Sequence, residues 1–348
     1  MNRILVNYLA CPKCGKDFVI KSQKILNNDI IEGYLSCKDK HKFRITRGIP
    51  RFVTDKDMGF VKTEDAFSSK WDTFNKTYHQ KNWLLHQQNW FLDRFGWKTT
   101  KNFERFLKTR RFILDAGTGI GNSAHWLSSN PKSQVFAIDA SESVVFAHKK
   151  YGHARNIHFL QADIRNLPFK KHFFDYICSD QVLHHTKDTE SSFKYLTKFL
   201  QRNGSISIYV YKKKGPIREF TDDYIRQYTI QMSEKKCIDF SKDMTELGRS
   251  LSDLHKKIRI KHDIPILNIK AGTYDVQRFI YWNFIKCWWS DYVPYQQSVA
   301  TNFDWYFPKF AYRHTPAEVK KWFKESHLKV FHFQEIESGI SVIGKKQT

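Results

Sequence analysis

The sequence predicts an α/β chain built on a doubly wound, mainly parallel sheet, and three observations carry that prediction. An apolar β-type run, residues 112–116, leads directly into glycines at 117, 119 and 121, the arrangement in which a first strand turns into a helix beneath a bound ligand. Short β-branched and aromatic runs then recur at 134–139, 157–163, 173–180 and 205–211. Three of these later runs end in an aspartate, Asp139, Asp163 and Asp180, as expected of polar groups gathered at one end of a sheet.

Taken in order, residues 112–121 read FILDAGTGIG. The spacing is G-x-G-x-G, not the G-x-G-x-x-G of a pyrophosphate loop, and Asp115 stands two residues before Gly117. A carboxylate there repels a pyrophosphate but pairs with an ammonium. A ligand with a cationic amino-acid end and an adenosine end satisfies both constraints, and S-adenosylmethionine is such a ligand; the alternative is a glycine-rich turn without chemical role. The second run, QVFAID, puts Asp139 at a distance from the glycines that suits a carboxylate on ribose hydroxyls. The third, IHFLQAD, ends in Asp163 followed by Ile164, where a carboxylate accepts from an adenine amino group. The fourth, FFDYICSD, ends at Asp180 and is followed by VLHHT at 182–186; the fifth is SISIYVY at 205–211. Each aspartate alone also reads as a helix cap, and it is three in register that favours a ligand.

As a set, LDAGTGIG, AIDAS, QADIRNLPF and FDYICSDQVLHHTKD resemble the motifs of class I S-adenosylmethionine-dependent methyltransferases. The resemblance is nearest to the small-molecule branch that includes ubiquinone and menaquinone C-methylases, covers roughly residues 105–211 and returns at the C-terminus. The family usually has Cys where Thr118 stands. The resemblance implies a Rossmann-like, seven-stranded sheet. It puts Asp115, Gly117, Thr118, Gly119 and Gly121 at the methionine end of the cofactor, Asp139 and Ala140 at the ribose, and Asp163 with Ile164 at the adenine. Asp180, His184 and His185 then lie nearest the methyl group and are the catalytic candidates. A hydroxyl acceptor needs one of them as a base, an amine needs no strong base, and a carbon acceptor needs an activated enol or phenolate. The alternative role for the two histidines is packing at a helix start.

The N-terminus carries a second pattern: Cys11-Pro-Lys-Cys14 and Cys37-x-x-x-His41, separated by a spacer of 22 residues. A Cys3His set suits tetrahedral zinc in a closed, structural site; the alternative is three unligated cysteines and a surface histidine. LACPKCGKDF with LSCKDKHKFRITRGIPRFV resembles the zinc ribbon of tRNA-methyltransferase activator subunits, which have Cys where His41 stands, and the N-terminal finger of a bacterial 23S rRNA guanine methyltransferase.

These readings divide the chain into a ribbon (1–55), a helical linker covering the cleft (56–108), the cofactor-binding core (109–211), a helical, aromatic-rich cap (212–312), and a last helix with a C-terminal hairpin (313–348). In the linker, Phe67, Trp71, Phe74, Trp83, Trp90 and Phe91 recur at helical spacing, and FSSKWDTF resembles a pre-domain helix of ribbon-bearing methyltransferases. Packing and substrate contact are both open to it. In the insert, Ile238, Met244, Leu247, Leu251, Leu254 and Ile258 recur at helix-like spacing, followed by RFIYWNFIKCWWSDYVPY and NFDWYFPKF. These aromatics form either a lid above Asp180 and His185, through Tyr281–Tyr295, Trp305 and Tyr306, or a second packed layer. FDWYFPKF followed by RHTPAEVKKWF resembles the tail segment of these methyltransferases. There Thr315-Pro316-x-Glu318 reads as an N-capped helix, and KVFHFQEIESGISVIGKK as a hairpin turning near Ser338-Gly339.

The 348 residues carry a formal net charge of +23 and are 41% hydrophobic, enough for one large core with attachments. The positive excess is spread along the chain, without the basic block that marks a nucleic-acid track. Lys212-Lys213-Lys214 and Lys256-Lys257-x-Arg259 read as solvated faces or as phosphate contacts. The most apolar aromatic stretch, Phe279 to Trp289, is interrupted by Asn283 and Lys286 and is too short for a membrane span; the N-terminus has no signal-peptide core. Six cysteines without a disulfide-like framework point to a cytoplasmic setting. Three functions follow. The first is a methyltransferase for a small-molecule, saccharide or lipid-precursor acceptor. The second is an RNA methyltransferase acting on rRNA or tRNA bases, against which stands the lack of an Asn/Asp-Pro-Pro-Tyr segment after the fourth strand. The third is a non-catalytic scaffold of the same fold. The oligomeric state leaves no trace in the sequence.

Overall fold

A computed structural model describes residues 1–53 and 81–347; FSSKWDTF, with Phe67, Trp71 and Phe74, lies outside them. The chain opens with a short 3-10 turn, Arg3–Tyr8, and a four-stranded antiparallel sheet in sequential order: β1 (Phe18–Leu26), β2 (Asp29–Cys37), β3 (Lys42–Thr46) and β4 (Ile49–Pro50). The alternation of strand side chains buries Gly33, Leu35 and Cys37 on one face of β2.

Helices α1 (Lys81–Arg94) and α2 (Thr100–Leu107) lead into the main sheet. Thr99 caps α2 by accepting from the Asn102 amide, and the amphipathic spacing buries Phe103 and Leu107. The sheet then forms from β5 (Phe112–Ala116), α3 (Asn122–Leu127), β6 (Gln134–Asp139), α4 (Ser143–Tyr151), β7 (Ile157–Gln161), β8 (Phe174–Asp180), α5 (Thr189–Thr197) and β9 (Leu200–Tyr211). It ends with α10 (Pro316–Glu325), β12 (Leu328–Glu335) and β13 (Gly339–Lys346). The seven strands lie in the order β12-β13-β9-β8-β5-β6-β7, with β5 to β9 parallel and β13 antiparallel to both its neighbours. The seven-stranded, doubly wound sheet expected from the sequence is therefore present. β5 is covered on both faces: Leu114 and Ala116 enter one core, Ile113 the other, which is why its sequence reads as a continuous apolar run. Strand order reverses on either side of β5, so a crevice opens at the carboxyl ends of β5 and β8.

The expected capping box is formed: Thr315 accepts from the Glu318 amide and Glu318 accepts from the Thr315 amide. The last hairpin turns just before Gly339, as its sequence indicates.

Between β9 and α10 lies an insert of α6 (Pro216–Thr229), α7 (Glu234–Asp253), a hairpin of β10 (Lys257–Ile260) and β11 (Gly272–Asp275), α8 (Val276–Asn283) and α9 (Tyr295–Tyr306). The helical pattern read through Leu254 and Ile258 stops earlier: Leu247 and Leu254 are exposed, and Ile258 pairs with Tyr274 in the hairpin. The buried face of α7 is instead Cys237, Ser241, Met244, Thr245 and Gly248. Small residues let it approach closely, since a Cβ on Gly248 would lie 2.4 Å from the Cys287 carbonyl oxygen. Cys237, Met244, Val299, Phe303 and Tyr306 form a separate apolar cluster that also takes Ile120 from the glycine loop.

The N-terminal sheet is not a free-standing appendage. Leu5, Leu9, Phe18, Phe43 and Phe52 share one continuous core with Leu114, Phe136, Ile164 and Phe169 of the main sheet. The Phe52 amide donates to the Gln161 carbonyl (2.7 Å) and the Ala10 amide to that of Pro168 (2.9 Å), so the chain after β4 pairs with the free edge of β7.

Candidate active site

The glycine loop is built by backbone conformation. Gly117, Gly119 and Gly121 take φ of 93°, 54° and 84°, a region costly for side-chain-bearing residues. A Cβ on Gly117 would also stand 2.3 Å from a Val182 methyl carbon, so glycine lets β5 and the segment after β8 close on each other. The loop borders a cavity of about 590 Å³ at the switch point, within the size range of small-molecule sites.

Nine of the twelve cofactor-binding and catalytic candidates line this cavity: Gly117, Thr118 and Gly119 from the loop, Asp139 and Ala140 at the end of β6, Asp163 and Ile164 after β7, Asp180 at the end of β8, and His185. Asp139 is held by three donors: the Gly119 amide (2.8 Å) to one oxygen, the Ser141 amide (2.9 Å) and hydroxyl (2.6 Å) to the other. A carboxylate offers about four acceptor positions, so capacity for ligand hydroxyls remains. Asp163 accepts from the Arg165 amide and is clasped by its guanidinium, which lines the cavity with it.

Asp115, Gly121 and His184 are placed differently. Asp115 is fully buried beneath the loop, 2.7 Å from the Ser123 hydroxyl, and does not line the cavity. Burial raises its pKa to about 6, the Ser123 and Thr118 hydroxyls opposing the shift. Gly121 lies behind the loop, where a Cβ would press on Ala147 of α4. His184 is wholly buried, stacked on Tyr211 with ring centroids 3.7 Å apart. Burial, with His185 and His314 nearby, holds its pKa well below the ordinary histidine range, so it is a neutral packing ring. Its neighbour is the histidine that reaches the cavity. The Nδ1–H of His185 donates to the Phe310 carbonyl (2.7 Å), which fixes the neutral tautomer with Nε2 as the basic nitrogen.

Asp180 pairs with Arg94, the last residue of α1; Arg94 is buried, and the Asp180 side chain keeps 11% exposure at the cavity. Burial raises the Asp180 pKa and the Arg94 charge opposes the shift. The guanidinium sits 3.6 Å above the centre of Trp90. No local sequence signal marks Arg94: it stands 86 positions from its partner. Trp83, His86, Gln87 and Trp90 of α1 also line the cavity, so this part of the linker takes on both packing and contact with the site, the two roles its aromatic spacing left open.

The cap closes the other side. Tyr281, Trp282, Trp288 and Trp305 line the same cavity as Gly117, Asp163 and His185, together with Lys214, Arg218 and Lys286. Tyr306 instead packs inside the cap, its hydroxyl donating to the Lys286 carbonyl (2.7 Å). The insert is thus both things the sequence allowed, a packed layer with its own core and a wall of the cleft.

In the N-terminal segment, the ligand atoms of Cys11, Cys14, Cys37 and His41 all lie within 4.8 Å of one another. Cys14 Sγ is 3.6 Å from Cys37 Sγ, and His41 Nδ1 is 3.5 Å and 3.4 Å from the sulfurs of Cys11 and Cys37. A zinc tetrahedron with bonds of about 2.3 Å to sulfur and 2.0–2.1 Å to nitrogen has edges of about 3.5–3.8 Å, close to these three separations, and the donor set suits that ion.

Known proteins are similar to the central part of this chain. Residues 114–208 match the methyltransferase domain family. A phosphoethanolamine N-methyltransferase of Zea mays is 33% identical over 138 residues, 38% of this chain and 27% of that protein. A malonyl-[acyl-carrier protein] O-methyltransferase of Legionella pneumophila is 33% identical over 109 residues, 30% of this chain and 38% of that protein. The chain therefore spans well under half the length of these curated relatives. Among solved structures, a magnesium protoporphyrin IX methyltransferase of Synechocystis with bound S-adenosylmethionine aligns over 85% of this chain and 98% of that one, at 13% identity and a TM-score of 0.43.

Proposed function

We infer that the chain is an S-adenosylmethionine-dependent methyltransferase acting on a small-molecule acceptor. The observation that carries this reading is one cavity bounded by the glycine loop and the three strand-end aspartates on one side and the aromatic cap on the other. The matched methyltransferase domain and the phosphoethanolamine in the name of one relative support it.

When bound, the cofactor supplies a methyl group on a sulfonium, and transfer to an acceptor lone pair or carbanion depends on alignment more than on covalent chemistry with the protein. The residues of this chain do the aligning. Asp139, pinned by Gly119 and Ser141, accepts from the ribose hydroxyls; Asp163, paired with Arg165, and Ile164 border the adenine. Thr118 and the glycines receive the methionine end, with Asp115 acting from beneath the loop. The Asp180–Arg94 pair holds the end of β8 against α1 beside the methyl position. For a hydroxyl acceptor, His185 Nε2 takes the proton, because Nδ1 is committed to Phe310. Tyr281, Trp282, Trp288 and Trp305 exclude water from the transfer.

The same reading gives the N-terminal cluster a structural zinc, with Cys11, Cys14, Cys37 and His41 as a closed ligand set; metal analysis should find about one zinc per chain. Calorimetric titration with S-adenosylhomocysteine tests the main proposal. One site per chain is expected, and absence of binding would leave a scaffold of the same fold. An RNA acceptor is tested by RNA binding across a salt series: a steep loss of affinity with salt, with methyl incorporation into RNA, would replace the small-molecule reading.

A further inference from the structure

Three cationic side chains meet where the insert closes the cavity. Arg218 from α6 is 1% exposed and Lys286, after α8, is 6% exposed, while Lys214 precedes α6. All three line the cavity. They share an aromatic frame: the Arg218 guanidinium and the Lys286 ammonium each lie 5.1 Å from the centre of Tyr281, and 5.5 Å and 5.2 Å from that of Trp305. The Lys214 ammonium is 5.3 Å from the centre of Trp282.

Their counter-charges fall short. Arg218 is matched by buried Asp222, at 2.7 Å. Lys286 donates to the neutral Tyr281 hydroxyl (3.1 Å), and Lys214 to the carbonyls of Glu337 and Ser338. Among the described residues, no carboxylate lies within 4.0 Å of either ammonium; Asp304 is the acidic residue on the cap side of the cavity wall. A desolvated ammonium without a counter-ion is costly, and like charges grouped at one wall raise that cost. Burial, then Arg218, Lys286 and Lys212, hold the Lys214 ammonium well below its usual pKa, with Glu219 opposing. A ligand that brings negative charge to this wall relieves the strain.

We propose that this end of the cavity is an anion site and that the methyl acceptor carries a phosphate group. The proposal rests on the methyltransferase reading for the word acceptor, but the anion site stands on the cation cluster alone. Two lysines presenting rotatable donors beside a fixed guanidinium suit the three oxygens of a phosphate monoester better than the two of a carboxylate. The enclosing rings limit the ligand to a small molecule with its phosphate at the cap and its reacting atom toward His185.

Inorganic phosphate is the probe, titrated calorimetrically into the full chain with and without S-adenosylhomocysteine, beside sulfate and acetate. Phosphate should bind more tightly than acetate by at least tenfold. Lys286→Met and Lys214→Met, which keep most of the aliphatic stem, should each weaken phosphate at least tenfold. Thermal melting and S-adenosylhomocysteine affinity report whether the variants are folded, and a surface variant, Lys256→Met, should bind phosphate as the parent does. Failure to bind phosphate, equal affinity for acetate, or folded lysine variants that retain full phosphate affinity would each overturn the proposal. Loss of S-adenosylhomocysteine binding in the parent chain, with phosphate still bound at this wall, would instead overturn the methyltransferase reading.

Discussion

At the scale of single residues, the site depends on carboxylates whose neighbours set what they can bond to. Asp139 and Asp163 are wrapped in donors and face the cavity ready to accept. Replacing Asp139 with Ala removes charge-assisted bonds worth about 1.5–3 kcal/mol each, so S-adenosylhomocysteine affinity should fall about ten- to hundredfold by calorimetry; an unchanged constant would remove Asp139 from the ribose role. Asp115 is the opposite case, a buried acid with a pKa near 6. Its folded pKa lies above the unfolded value of 3.8, so the folded state binds the proton more tightly. This group therefore costs stability once pH rises above 6, by about 3 kcal/mol relative to pH below 4. In urea denaturation of the ligand-free protein, Asp115→Asn should gain on the parent by about that amount as pH is raised across this window; parallel pH profiles for the two proteins would show that Asp115 does not carry the shift.

At the scale of elements, α1 and β8 are joined by one ion pair, and the cavity wall depends on it. Arg94→Met leaves the largely covered Asp180 without its counter-charge, which should cost about 2–4 kcal/mol in urea denaturation, below the full cost of a stranded buried charge because Asp180 borders the cavity. The double variant Arg94→Met with Asp180→Asn should recover much of the loss, because no charge is then stranded. A single variant within about 1 kcal/mol of the parent would mean that solvent, rather than Arg94, compensates Asp180. Element scale is also where sequence periodicity reached its limit. The strands were legible because a sheet covered on both faces demands short apolar runs, and the C-terminal helix because Thr315 and Glu318 sit at capping-box spacing. The extent of α7 was not, because its buried face mixes Ser241, Thr245 and Gly248 with Cys237 and Met244 while Leu247 and Leu254 are exposed. Packing against Cys287 selected small residues there, and hydrophobicity lost its value as a marker.

At the scale of the whole molecule, the N-terminal ribbon and the cofactor core act as one body. Their apolar side chains form one cluster, and residues 51 and 52 pair with Gln161. Arg51 also reaches Glu142 (2.5 Å) and the Gln161 side chain (2.6 Å), and Gln161 donates to the Ala140 carbonyl (3.0 Å) beside Asp139. Cys14→Ser, or removal of metal by a chelator, should therefore lower the melting temperature of the whole chain in a single calorimetric transition and weaken S-adenosylhomocysteine binding. Two separate transitions, with cofactor affinity unchanged, would show that the ribbon folds on its own and that the shared core transmits nothing.

What the amino-acid order made legible unaided was local: the strands of the main sheet, the turn of β5 on glycine, the aspartates at or just after the ends of β6, β7 and β8, and the paired spacing of three cysteines and His41. Each depends on neighbours within a few residues, or on pairs whose spacing is itself the signal. Folding decided what faces what. It set Arg94 against Asp180, turned His185 toward the cavity and His184 away from it, and brought Lys214, Arg218 and Lys286 to one wall. Lys214, which in sequence is the end of a basic run open to a solvated-face reading, lines the cavity because the chain leaving β9 passes beneath the cap. The reason is physical: side chains tens to hundreds of positions apart meet only after the sheet order and the packing of the insert are fixed, and no periodicity along the chain encodes that meeting.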